Sequence, residues 1–291
     1  VASDFLARTR FPVPRDRKVL LDCVVRQGGG PAATAAVALA RLGVRVSFAG
    51  AVGGDAFGQT QRRELQREGV DVSRVVTVPG RESFACFILV DESDGARTIF
   101  SAPATRPLLP ESEARLGSPP PHLLLLDGWG GPAELVLARE AARRRIPVLL
   151  DAGHRRSQID ALLPLTEAAV VSAGFAAAVA PRGKPERAIQ WLLERGPRLA
   201  AVTCGERGVW AGAQGEDGLF HVPAFRVARV VDTTGAGDAF HGGTAYGLVT
   251  GRHWQESLRL GAAVAALKCR RLGGRDGLPR LAELERFLAS S

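Results

Sequence analysis

The stretch from residue 123 to residue 205 leaves this chain little choice of fold. Short continuous apolar runs, "LLLLDGW", "PVLLDAG", "EAAVVS" and "RLAAVTCG", alternate with longer amphipathic segments such as "PAELVLAREAARRRI" and "PERAIQWLLERG". A strand that is apolar on both sides must be covered on both faces. Helices that return the chain between such strands supply that cover, so the pattern predicts a mostly parallel α/β sheet flanked by helices. Ligands of such sheets bind beyond the carboxyl ends of the strands. Asp127, Asp151, Ser172 and Thr203 each close one apolar run and are chemical candidates on that ground.

The alternation starts earlier, with a helix over "PAATAAVALARLG" that ends at Gly43, a strand at "VRVSFAGAVG" and a capped, charged helix at "DAFGQTQRRELQREGV". Two segments break it. "KVLLDCVV" reads as a strand, and "SFACFILVDESDGARTIFSAP" reads as a hairpin turning at Asp94-Gly95. Residues 5–28 and 83–103 are therefore expected to form one small separate β-sheet. Residues 1–4, 29–82 and 104–291 are expected to form the α/β body.

Composition narrows the function classes. The 291 residues are 46% hydrophobic and 23% charged, ordinary for a globular protein. No apolar run approaches the ~18 residues of a membrane span, and no charged-then-apolar opening marks a secretory signal. Methionine is absent even from position 1, which reads as an unrecorded start. Cys23, Cys86, Cys204 and Cys269 are scattered without C-x-x-C spacing and are expected to be reduced, in a cytoplasmic protein. The net charge of +8 is carried by arginines that read as solvated helix faces, with a field that suits anionic substrates. Aromatic residues make up 6% of the chain and do not interleave with the basic ones, so nucleic acid is not an expected partner.

One motif carries chemistry. "VVDTTGAGDAFHGG", residues 230–243, passes from an apolar run through a glycine-rich turn into a helix. Gly235 and Gly237 allow a sharp turn and close approach of a ligand to the backbone. The first N–H groups of a helix point outward at the positive end of its dipole, an arrangement suited to phosphate. Asp238 stands in that first turn. A carboxylate beside a bound phosphoryl group can accept the proton of an attacking hydroxyl, and a weak base suffices where the transition state is loose.

At these residues the chain resembles the ribokinase-like (PfkB) family of carbohydrate kinases. "DTTGAGDAF" is similar to the family's C-terminal signature, and "GGGPAATAAVALARLGVRVSFAGAVGGDAFG" to its N-terminal one. "VTCGERGVW" resembles the nucleotide-side strand and turn, and the wording of "GGGPAATAA" and "VAALKC" is nearest to sulfofructose kinases. The resemblance implies ATP and Mg2+ as cofactors, a small β lid over the sugar, and a homodimer formed through that lid. It implies Asp238 as catalytic base, with Gly235, Ala236 and Gly237 as the anion hole. It places Asp4, Gly29, Gly30 and Thr34 on the sugar, and Thr203, Gly205 and Gly208 on the nucleotide. Arg97 and Asp127 are further substrate candidates, and Asp232 and Thr234 match positions near a monovalent-cation loop, K+ in dependent members. Two departures stand out: "SAGF" (172–175) lacks both groups of the family's N-x-x-E motif, and "DGWGG" holds no arginine.

Rival readings are weaker. Gly28, Gly30 and Ala33 satisfy G-x-G-x-x-A, but no acid follows near the end of the next strand, as dinucleotide binding requires. No P-loop pattern occurs. The five histidines lack metal spacing and read as surface or satisfied core groups. The expected activity is phosphorylation of a sugar hydroxyl, with a nucleoside kinase or a catalytically idle ligand sensor of the same fold as alternatives.

Overall fold

The computed structural model describes residues 1–101, 107–180, 184–216 and 218–290; positions 102 and 103, the end of the segment assigned to the small sheet, lie outside them. The chain divides into two compact units. One comprises Val1–Leu108, Arg226–Ala239 and Val264–Ser291, and the other Leu109–Phe225 and Phe240–Ala263.

The first unit opens with β1 (Ala2–Thr9), β2 (Val25–Gly29), α1 (Pro31–Arg41), β3 (Ser47–Gly53), α2 (Ala56–Arg67), β4 (Asp71–Val78), β5 (Ala85–Asp91) and β6 (Arg97–Ser101). The segments that broke the alternation do share one sheet, in the order β2-β1-β5-β6. β1 and β5 run parallel, and the other two pairs are antiparallel. One face buries Ala2, Leu6, Cys86, Ile88 and Val90 as a cluster. On the other, Phe5 stacks on Phe87 with ring centroids 5.4 Å apart, and Phe87 pairs with Phe100 across β5 and β6.

The sheet corrects the strand expected at "KVLLDCVV". Only Val25 of that stretch is a strand residue, because the pairing with β1 ends where Val25 meets Leu6. Among the described residues no strand pairs with 18–24, and Leu20 is 82% exposed. The strands instead extend to Ala2 and Gly29, which sets Asp4 and Gly29 on adjacent chains. β3 and β4 form a separate parallel pair joined through α2, whose N-cap Asp55 accepts a hydrogen bond from the Gly58 N–H at 2.8 Å.

The second unit contains β7 (Leu124–Leu126), α3 (Pro132–Arg143), β8 (Val148–Ala152), α4 (Ser157–Leu162), β9 (Ala168–Ser172), α5 (Ala173–Val179), α6 (Pro185–Leu193), β10 (Leu199–Thr203), β11 (Val209–Ala213) and β12 (Phe220–Val222). They build one sheet in the order β12-β11-β10-β9-β8-β7. The strands β7 to β10 are parallel, and β8, β9 and β10 are buried almost throughout, as continuous apolar runs require. β11 and β12 turn back antiparallel, so the sheet is mixed.

Three helices complete the chain: α7 (Ala236–Val249), α8 (Trp254–Lys268) and α9 (Leu281–Ala289). The first four residues of α7 and the last five of α8 count with the first unit. No helix among the described residues is long and apolar enough to cross a membrane.

Candidate active site

The loop that leads into α7 is fixed by its own aspartate. Asp232 is fully buried, and its carboxylate accepts hydrogen bonds from the N–H groups of Thr234 and Gly273, each at 2.7 Å. The Lys268 ammonium, at the end of α8, donates to the Asp232 carbonyl at 2.8 Å and lies 4.0 Å from the carboxylate. Burial pulls the Lys268 pKa down, against the attraction of Asp232.

Gly235 then takes φ +73°, and a Cβ there would fall 2.8 Å from the Gly274 carbonyl oxygen. Only glycine meets both conditions. The Ala236 N–H donates to the Thr233 carbonyl and the Ala239 N–H to the Gly235 carbonyl, which opens α7. A Cβ on Gly237 would meet nothing within 4 Å, so the turn is open on that side. Asp238 is the third residue of the helix, in the positive field of its first turn.

Asp4 approaches from β1. It is 7% exposed, and a Cβ on Gly29 would overlap its carboxylate, so the second glycine of "GGG" leaves room for this acid. Burial pushes the Asp4 carboxyl up to about 6; Arg275 pulls against the rise, and Asp238 adds to it. Arg275 is itself buried. Its N–H donates to Gln27 Oε1 at 2.8 Å and its Nη2 to the Gly29 carbonyl at 3.0 Å, while Nη1 lies 3.9 Å from Glu64. A Cβ on Gly28 would strike that guanidinium. Gly30, at φ +93°, caps α1, and the buried Thr34 sits in its first turn. Arg97 is exposed and donates to Thr233 Oγ1 at 3.2 Å, while the Thr233 hydroxyl and N–H both donate to the Gly95 carbonyl. The hairpin turn is thereby docked on the loop that leads to Asp238.

In the second unit the strand ends carry the remaining candidates. The Asp127 carboxylate accepts from the Trp129 N–H at 2.9 Å. Behind it, buried Glu134 accepts from the N–H groups of Asp127 and Gly128 and from Gln158, and burial pushes its pKa up to about 8. Asp151 is buried with its pKa well raised and lies 3.3 Å from His241 Nδ1, which makes His241 a satisfied core histidine. "DGWGG" does acquire an arginine: the Arg156 guanidinium, from the N-cap of α4, lies 3.4 Å over the Trp129 ring. Ser172 caps α5 through the Phe175 N–H. Thr203 donates to the Val171 carbonyl, and Gly205 and Gly208, at φ +59° and +78°, make the tight turn into β11.

Sequence reasoning gave no role to Lys268, Arg275, Gln27, Glu134 and Arg156, while His241 is the satisfied core group expected of it. A lysine at the end of an otherwise apolar helix run, "AAVAALK", was the available signal for the first. The others meet their partners only in the fold.

Comparison with known proteins adds family and fold. The pattern of the pfkB family carbohydrate kinases matches residues 4–281. The chain is 28% identical over 272 residues to the ribokinase of Haemophilus influenzae, covering 89% of this chain and 87% of the relative. It is 28% identical over 262 residues to the ketohexokinase of Mus musculus, covering 87% of each. The structure of Arabidopsis thaliana ribokinase complexed with ribose and ATP superimposes with a TM-score of 0.83 at 22% identity, covering 99% of this chain and 96% of that one.

Proposed function

We propose, from the premise that this chain belongs to the pfkB family of carbohydrate kinases and is an ATP-dependent sugar kinase of ribokinase-like fold, that it phosphorylates a hydroxyl of a ketose or ketose phosphate. The observation that carries the reading is the turn at 235–238, open at Gly237 and closed underneath by Gly274, with Asp238 in the first helical turn. In the proposed reaction the sugar oxygen attacks the γ-phosphorus of ATP, its proton passes to Asp238, and the bond to the departing ADP breaks. The 235–238 turn stabilises the charge on the transferring group. Asp4 accepts hydrogen bonds from sugar hydroxyls, at the edge that Gly29 and Gly30 keep low.

Asp127 is assigned to a substrate hydroxyl. Thr203, Gly205 and Gly208 are assigned to the nucleotide. Among the described residues no three His, Cys, Asp or Glu side chains gather to hold a metal, and 172–175 offers no acid. The nucleotide phosphates and water are therefore assigned as the holders of Mg2+, which would neutralise charge on the phosphates. The sheet of β1, β2, β5 and β6 is assigned as the lid, its strands reaching Ala2 and Gly29, beyond the 5–28 and 83–103 division expected from the sequence.

ADP release across ketoses, ketose phosphates, sulfofructose, aldoses and nucleosides tests the reading. Turnover is expected with a ketose or its phosphate, and Asp238→Asn should lower kcat by about 10²- to 10⁴-fold while leaving ATP affinity nearly unchanged. Nucleotide binding with no turnover on any compound would favour a ligand sensor, and turnover on nucleosides alone would move the acceptor class.

A further inference from the structure

The loop matched to a monovalent-cation site does not suit an added cation. Both carboxylate oxygens of Asp232 are engaged by backbone N–H groups, of Thr234 and Gly273. Its carbonyl oxygen is taken by the Lys268 ammonium at 2.8 Å. Lys268 is fully buried, so its charge cannot swing out to solvent and leave the position to an ion. Among the buried side-chain oxygens of this loop, the Thr234 hydroxyl is the one left without a hydrogen-bond partner.

We propose that Lys268 is a built-in cation: its ammonium group holds the Asp232 carbonyl in the role of a bound monovalent ion, and the protein works without potassium. The inference rests on the kinase reading for its functional meaning. The lysine reaches the loop from the end of α8, where a cation also suits the helix dipole. Two further bonds fix the approach, as the N–H groups of Val231 and Asp232 donate to the Cys269 carbonyl at 2.8 and 3.3 Å. Three residues beyond Asp232 stands Gly235, so the lysine is a positioning residue for the anion hole.

The test compares ATP affinity by calorimetry, together with thermal stability, in potassium chloride and in tetramethylammonium chloride at equal ionic strength. Wild-type protein should bind ATP equally in both salts, within about two-fold, with the same Tm. An affinity gain of about five-fold or more in potassium, the usual scale of coupling between two sites, would overturn the proposal. Lys268→Ala opens the space, should bind ATP more weakly in tetramethylammonium, and should regain affinity and Tm when potassium is added. Lys268→Met fills the space without charge and should not regain them.

A purely structural lysine predicts no rescue of either variant, and that result overturns the proposal. Should Lys268→Ala fail to fold, Lys268→Met decides: wild-type ATP affinity in that variant refutes the assignment. Failure of wild-type protein to bind ATP in any salt would refute the kinase reading instead. The wild-type Tm in the two salts would then still decide the lysine assignment, a potassium-specific rise counting against it.

Discussion

Asp4 is an acid kept where its ionised form is disfavoured, and that sets a pH dependence. Its folded pKa of about 6 lies above the ordinary 3.8, because burial outweighs the pull of Arg275. Between these values the folded state holds a proton that the unfolded chain has released. The favourable contribution is therefore present at low pH and lost as pH rises through about 6, a loss of roughly 3 kcal/mol by neutral pH. If Asp4 holds the sugar as proposed, the ligand's hydroxyls would satisfy the ionised carboxylate. Sugar KM is accordingly expected to rise as pH falls below about 6, while ATP KM stays flat. Asp4→Asn should raise Tm at pH 8 but not at pH 4, and raise sugar KM by about 10- to 100-fold, the worth of one charge-assisted hydrogen bond. Steady-state kinetics and thermal melts across pH 5–8, with a melt at pH 4, check this. A sugar KM indifferent to both pH and substitution would remove Asp4 from the substrate site.

At the scale of elements, what the sequence showed depended on how local the determinants are. The turn from Asp232 to Asp238 was readable because its glycines, its acid and its helix start are consecutive. β8, β9 and β10 were readable because burial on both faces imposes a continuous apolar run. Arg275 was not, since its partner Gln27 lies 248 positions away, and Lys268 meets Asp232 across 36. The same holds for Arg156, which a separate loop delivers to Trp129. The strand expected at 18–25 failed because apolar content alone does not supply a pairing partner. The hairpin of β5 and β6 was legible from Asp94-Gly95, but its docking on Thr233 was not. That contact joins the lid to the loop preceding Asp238, so sugar binding should slow amide exchange in residues 84–101. Hydrogen-exchange mass spectrometry with and without substrate reads it, and equal exchange in both states would detach the hairpin from substrate closure.

Among the described residues, one edge strand of the small sheet is exposed along its whole length. In the order β2-β1-β5-β6, β6 is the edge strand, and all five of its residues are exposed. On the same sheet Phe87 and Phe100 are 61% and 55% exposed, beside the half-buried Phe5. An open edge next to an aromatic face is a pairing surface that proteins ordinarily cover or blunt. Blunting is slight here, because β6 carries one charge, Arg97, and that side chain is turned to Thr233. A second copy of the same sheet is the occupant we propose, its own phenylalanines meeting these across a two-fold axis. Light scattering at micromolar concentration should then give twice the 30.8 kDa chain mass. Phe100→Arg sets two charges against each other across that axis and should give a monomer that keeps its fold by circular dichroism. A wild-type monomer mass, or a Phe100→Arg protein that stays dimeric, would remove the lid from the interface.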